Sequence, residues 1–204
     1  MLVVVGGHTR NIGKTAVAAG IIHALPEGNW TAIKITQLGH GICAARGKHC
    51  GCEADMDHPF SIREEVQPGR SDTGRYVAAG ARRCYWVRTV AGQLRHAVPR
   101  LRGILSESEN AIIESNSVME YLQPDVFLMV LDFGCEDFKP SSQRFLHRAH
   151  AFIVIDNGIH APRWKGVAPG GWDGKPRFVA RPPQYVPADL AEFVKGRLEG
   201  AAQR

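Results

Sequence analysis

Short apolar, β-branched runs alternate along the chain with longer segments whose apolar residues recur at helical spacing. This alternation predicts βαβ units around a mainly parallel sheet. Residues 2–5, 31–35, 111–114, 126–132 and 151–156 read as strands. Val17, Ile21 and Leu25 fall at i, i+4 and i+8, one face of a helix over 15–25 that Pro26 and Gly28 stop. Residues 72–83, 92–105 and 141–149 are polar on one side and long enough to be covering helices. Val186, Leu190, Phe193, Val194 and Leu198 share one face of an amphipathic closing helix, with Asp189 in its first turn.

Two stretches resist the pattern. Residues 36–71 carry three cysteines, several histidines and an acidic cluster, and read as a functional insertion, because structureless loops beyond ~12–15 residues are uncommon in compact domains. Residues 162–187, rich in Pro and Gly and containing Trp164, Trp172 and Tyr185, read as an irregular C-terminal wrap. At 204 residues and 44% hydrophobic, the chain has enough apolar surface for one domain over 1–204, and disorder, collagen and coiled coil are excluded.

No apolar run approaches the ~18–20 residues that a spanning helix needs, so no membrane association is expected. The first residues lack the basic and extended apolar regions of a signal peptide, which places the chain in the cytoplasm. The formal charge of +5 suits an anionic partner. Arg and Lys are scattered, however, with no basic stripe interleaved with aromatics, so phosphorylated small molecules are expected ahead of nucleic acid. A homodimer is left open.

The most informative segment is residues 3–16, Val-Val-Val-Gly-Gly-His-Thr-Arg-Asn-Ile-Gly-Lys-Thr-Ala. A strand enters a glycine pair, and Gly13-Lys14-Thr15 opens a helix. Glycines let the backbone fold around phosphate, so that its N–H groups and the helix N-terminus face the anion. Lys14 would reach the terminal phosphates of ATP or GTP, and the Thr15 hydroxyl would bind Mg²⁺. Gly7, His8, Thr9, Arg10, Asn11, Ile12, Gly13 and Ala16 complete the predicted cradle. Counted from Gly7 the spacing is G-x5-GKT, one residue longer than G-x4-GK[ST], and His8 stands where the first glycine would be. The motif and the alternation together predict an α/β, three-layer P-loop NTPase fold with a mainly parallel central sheet.

Phosphoryl chemistry needs carboxylates near the Mg²⁺. Glu114 ends the run Ala111-Ile-Ile at the carboxyl edge of a strand, where ligands bind in open α/β sheets. Asp132 ends residues 126–131 in the same context. Asp72 begins a predicted helix, where the plain reading is an N-cap. Lys34 ends the second strand and points to the same edge, and Arg75, one turn after Asp72, reads equally as a phosphate contact and as a solvated arginine. Asn157, in Asp156-Asn157-Gly158, reads as a tight turn ahead of a nucleotide-base contact.

The G-x5-GKT form, with an Ala- and Val-rich helix and a lysine ending the second strand, resembles dethiobiotin synthetase and its relatives in the SIMIBI class. A second resemblance, over roughly residues 1–135, is to the molybdopterin-guanine dinucleotide biosynthesis protein B family. It rests on the phosphate loop, Lys34, His40, Asp72-Thr-Gly-Arg75-Tyr-Val-Ala-Ala79-Gly80-Ala81 and Ile112-Ile-Glu114. The loop spacing, the cysteine-bearing insertion and Glu114-Ser-Asn-Ser depart from that family's pattern. The resemblance implies that Asp72 acts in the site through Mg²⁺-bound water, and it implies a role in cofactor biosynthesis.

Cys43, Cys50 and Cys52 form C-x6-C-x-C, with Cys84 and Cys135 further on. In a reducing compartment, metal ligation or chance outranks a disulfide framework, and unliganded thiols stand beside a bound metal as the alternative. Cys43, Cys50, Cys52 and Cys84, completed by His49 or His58, are candidate ligands for Zn²⁺ or an iron–sulfur cluster, while Cys135 reads as a lone strand-end thiol. Two functions remain: a Mg²⁺-dependent nucleoside triphosphatase or phosphoryl transferase acting on a small anionic acceptor, and a nucleotide-switched adapter or metallochaperone.

Overall fold

The computed structural model describes residues 1–39, 58–167 and 174–202. Its strands are β1 (Leu2–Gly7), β2 (Trp30–Leu38), β3 (Phe60–Glu64), β4 (Arg83–Val90), β5 (Asn110–Glu114), β6 (Val126–Asp132), β7 (Ala151–Ile155) and β8 (Arg177–Ala180). The helices are α1 (Lys14–Ala24), α2 (Asp72–Ala78), α3 (Val98–Ser106), α4 (Pro140–Leu146) and α5 (Ala188–Ala202). The strands form one sheet in the order β3-β4-β2-β5-β1-β6-β7-β8. Every pairing is parallel except β3 with β4.

Two apolar clusters give the chain three layers. On one face Val3, Val5, Ala32, Ile112 and Leu128 pack against Val17, Ile21 and Ile22 of α1, Tyr76 of α2, and Leu190 and Val194 of α5. On the other, Val4, Ile33, Ile113, Phe127 and Met129 meet Leu101 and Ile104 of α3 and Phe145 and Leu146 of α4. Central strands buried on both faces read as continuous apolar runs, which is why all five expected strands are present. The three-layer α/β architecture is thus as the alternation predicts. Among the described residues no helix is long and apolar enough to cross a membrane.

Three strands lie where the sequence reading has none. The helix expected over 72–83 stops at Ala78, because Gly80 is left-handed at φ 100°. Its N–H bonds to Val77 O at 3.0 Å and that of Ala81 to Tyr76 O at 3.0 Å, a Schellman closure. The chain then enters β4, whose residues alternate between Cys84, Trp86, Arg88 on one face and Tyr85, Val87, Thr89 on the other. The helix expected over 92–105 begins only at Val98, after a short 3₁₀ turn. The stretch 36–71 supplies the end of β2 and all of β3, and the wrap 162–187 supplies β8.

Candidate functional site

β1 lies between β5 and β6, and its carboxyl end delivers the chain to the loop before α1. Asn116, just after β5, clamps the root of that loop: its Oδ1 accepts the Gly7 N–H at 2.9 Å, and its Nδ2 donates to Gly7 O at 2.8 Å and Ser142 Oγ at 2.7 Å. Ser142 Oγ donates to the same carbonyl at 2.9 Å. A Cβ on Gly6 would stand 2.3 Å from Asn116 Oδ1, so the clamp requires glycine there.

His8 belongs to this root. Its N–H bonds to Val130 O at 3.2 Å and its carbonyl accepts the Lys139 N–H at 2.9 Å. The imidazole is buried between Phe138 and Trp164, with ring centroids 5.1 and 5.2 Å away. Nε2 accepts the Asp132 N–H at 3.0 Å, which leaves Nδ1 to carry the hydrogen and donate to Asp137 O at 2.8 Å. Burial lowers its pKa and keeps the ring neutral. In place of a cradle glycine, the structure has a neutral pin that ties the loop to β6 and residue 137.

Beyond His8 the loop turns through Asn11 and Gly13, both left-handed at φ 56° and 93°. The Tyr185 ring lies over Gly13, and a Cβ there would come within 2.3 Å of Tyr185 Cε1. Gly13→Ala would therefore add about 1–2 kcal/mol of backbone strain to a steric clash. A melting midpoint lower by at least roughly 5 °C is the expected result of a thermal scan.

α1 opens with four backbone N–H groups, those of Gly13, Lys14, Thr15 and Ala16, that have no acceptor within the helix. The first intrahelical bond is Val17 N–H to Gly13 O at 2.9 Å. No side chain caps this end, and no acidic residue lies in the first turn. The positive end of the helix dipole is left unanswered, as an anion site requires.

Lys14 folds back over the loop and donates to Thr9 O at 2.5 Å. Thr9 Oγ1 in turn donates to Asp137. Burial, assisted by the like charges of Lys34 and Lys139, lowers the Lys14 amine to about 8 against the pull of Glu114. Lys139 is lowered too, by burial and by Arg10. Lys14 thus feels the like charges of Lys34 and Lys139, and Lys139 is a member that the sequence reading missed.

The carboxyl edge of β5 completes the site. Glu114 is 3% exposed, and its Oε2 accepts the Thr15 hydroxyl at 2.7 Å and the Tyr76 hydroxyl. Its Oε1 accepts the Lys34 ammonium. Lys34 Nζ also lies 2.9 Å from Asp72 Oδ2 and 3.4 Å from Thr15 Oγ1. Burial works to raise the Asp72 carboxyl, but Lys34 outweighs it and holds that group below its ordinary value. Burial and the Glu114 charge push the Tyr76 phenol well up, so it stays a donor. Thr15, Lys34, Asp72 and Glu114, each singled out from sequence, thus meet at one point. Ser71 rather than Asp72 caps α2, accepting the Gly74 N–H at 3.0 Å, which leaves the Asp72 carboxylate for Lys34.

Register extends this row outward, pairing Glu114, Lys34, Trp86 and Arg63 across β5, β2, β4 and β3. Trp86 Nε1 donates to Thr36 Oγ1 at 3.0 Å, and the Arg88 guanidinium lies 5.4 Å over its ring. Arg88 Nε is buried with no hydrogen-bond partner among the described residues. Arg75 is exposed on α2 beside Asp72.

Asp132 and Asn157 hold each other at the opposite corner, where Asp132 Oδ1 accepts Asn157 Nδ2 at 2.6 Å and the Gly134 N–H at 2.8 Å. Cys43, Cys50, Cys52 and His49 lie outside the described residues, as does Trp172. Cys84 is 1% exposed beneath α2, its thiol directed at Thr73 O at 3.4 Å, and burial pushes it up to about 12. His58 is exposed and Cys135 half-buried. Among the described residues, no group of three or more His, Cys, Asp or Glu side chains is placed to hold a metal.

No family model matches the chain. No curated protein matches it either. Among solved structures it is similar to the crystal structure of the "apo" form of LpxK from Aquifex aeolicus in complex with ATP, with a TM-score of 0.49 and 14% identity over 87% of this chain and 53% of that one. The chain spans about half the length of that protein.

Proposed function

We propose that this chain binds the phosphates of ATP or GTP in the loop before α1 and, with Mg²⁺, hydrolyses the terminal phosphoryl group or transfers it to a small anionic acceptor. The observation that carries the reading is the meeting of an uncapped α1 N-terminus, a desolvated Lys14 and a Thr15 hydroxyl bonded to Glu114 at 2.7 Å. The backbone N–H groups of residues 13–16 hold the phosphates, and Lys14 leaves Thr9 O for the terminal ones. Thr15, Glu114 and Asp72 present hard oxygens from three elements, a donor set that fits Mg²⁺, whose remaining positions water and phosphate fill. When bound, the ion neutralises charge on the transferred phosphoryl group.

The acceptor lies along the row that runs outward from Lys34. Arg63, Arg75 and Arg88 make that shelf cationic, which favours an anionic acceptor. The order of strand, loop and carboxylate supports kinship with the SIMIBI class, the dethiobiotin synthetase and molybdopterin-guanine dinucleotide groups among them, and so a place in cofactor biosynthesis. The adapter or metallochaperone alternative, with Zn²⁺ or an iron–sulfur cluster at the cysteines, depends on Cys43, Cys50 and Cys52.

The test is phosphate release from ATP and from GTP by the full chain, across Mg²⁺ concentrations and with small phosphorylated and carboxylated acceptors. Mg²⁺-dependent turnover that rises with one acceptor is expected. No nucleotide binding by calorimetry, with or without Mg²⁺, would overturn the proposal.

A further inference from the structure

We infer that the Lys34 ammonium is a tethered stand-in for the divalent cation: it fills the metal position in the nucleotide-free protein and gives it up when a metal enters with nucleotide. This rests on the loop reading above and adds a specific exchange to it. Lys34 Nζ meets Glu114 Oε1, Asp72 Oδ2 at 2.9 Å and Thr15 Oγ1 at 3.4 Å. These are the same oxygens, from β5, α2 and α1, that would ligate Mg²⁺. The ammonium and the ion therefore compete for one set of donors.

The charge balance explains why the site holds a cation of its own. Glu114 is almost wholly buried, and a buried carboxylate without a counter-charge is strongly unfavourable. Tyr76 and Thr15 donate to its Oε2, fixing the carboxylate from one side and leaving Oε1 to the ammonium. The cage is thus formed in advance, with the Lys34 ammonium offsetting the buried Glu114 charge. Lysine suits this task because its charge is compact and rides on a flexible four-carbon stem.

Expelled by a metal alone, the ammonium would be driven toward Lys14, whose charge already opposes it. A triphosphate arriving with the metal gives the displaced ammonium an anion to meet. Metal and nucleotide should then promote each other's binding, and the coupling must be reciprocal. Lys34 is the residue that links them.

The test measures Mn²⁺ binding to the full chain by electron paramagnetic resonance, first without nucleotide. Lys34→Met and Lys34→Gln are both expected to bind Mn²⁺ at least tenfold more tightly than wild type. The glutamine variant retains hydrogen bonds to the carboxylates and guards against a methionine variant that does not fold. Adding Glu114→Gln to either variant should erase the gain, which localises it to this cage. With a non-hydrolysable ATP analogue present, wild-type Mn²⁺ affinity should rise at least tenfold, and that of the Lys34 variants far less. Mn²⁺ affinity unchanged by both Lys34 substitutions would overturn the exchange. Nucleotide binding in EDTA separates the two readings. A chain that gains Mn²⁺ affinity yet binds no nucleotide keeps the exchange and loses the phosphate loop, and the reverse pair of results keeps the loop and overturns the exchange.

Discussion

Lys14→Met is expected to weaken ATP or GTP binding by roughly a hundredfold while making the nucleotide-free protein more stable. The loss follows from removing the cation that would donate to the terminal phosphates, where each charge-assisted bond contributes about 1.5–3 kcal/mol. The gain in stability follows from the depressed amine. Its pKa is 10.5 in the unfolded chain and about 8 in the fold, so the charged form is disfavoured by roughly 3 kcal/mol below pH 8. That cost fades as pH rises from 8 toward 10.5, because the unfolded chain alone then holds the extra proton. Thermal scans at pH 7 should place the variant roughly 5 °C above wild type, after allowance for the lost bond to Thr9 O, and the gap should close by pH 10. Phosphate beside Lys14 raises its pKa again. Binding near pH 8.5 should therefore take up protons, which calorimetry in buffers of different ionisation enthalpy will detect in wild type and not in the variant.

Glu114→Gln is expected to be far from silent despite its matching shape. Three donors, Thr15 Oγ1, Tyr76 Oη and Lys34 Nζ, converge on the carboxylate, and an amide offers one acceptor oxygen and turns an NH₂ toward the rest. Breaking a buried ion pair on one side costs about 3–5 kcal/mol, so a melting midpoint lower by roughly 10 °C is expected. Turnover dependent on Mg²⁺ should fall at least a hundredfold, with nucleotide binding in EDTA largely kept. Adding Lys34→Met should restore part of the stability, because the ammonium left with Asp72 as its remaining anionic partner is then gone. A double-mutant cycle in denaturant measures that coupling, and additive losses would show that Glu114 and Lys34 act independently.

The strand, glycine loop and helix were legible because the motif is local and each flanking element carries an unbroken apolar signal. Glu114 was legible for a related reason: a lone charged residue ending an apolar strand must sit at the sheet's edge. Lys34 shares that level by its register with Glu114 and does not end its strand as expected, because β2 runs on to Leu38. β4 was not legible. Its less buried face carries Trp86 and Arg88, and the helix expected over 72–83 runs past the left-handed Gly80 into its first residue. The supports of the site lie far apart in sequence. Asn116 and Ser142 clamp Gly7 across 109 and 135 residues, and Tyr76 reaches Glu114 across 38. Residue type misleads at His8, whose position in the motif suggests a phosphate contact, while its two backbone partners make it a pin.

The central claim is that the N–H groups opening α1 hold phosphate. It is tested most directly by titrating ¹⁵N-labelled protein with a non-hydrolysable ATP analogue and Mg²⁺ and following the amide resonances of Gly13, Lys14, Thr15 and Ala16. Saturable downfield shifts in these four amides, larger than those elsewhere in α1 and absent with adenosine alone, are the predicted result. Saturation of the protein by the analogue with these four resonances unmoved would contradict it.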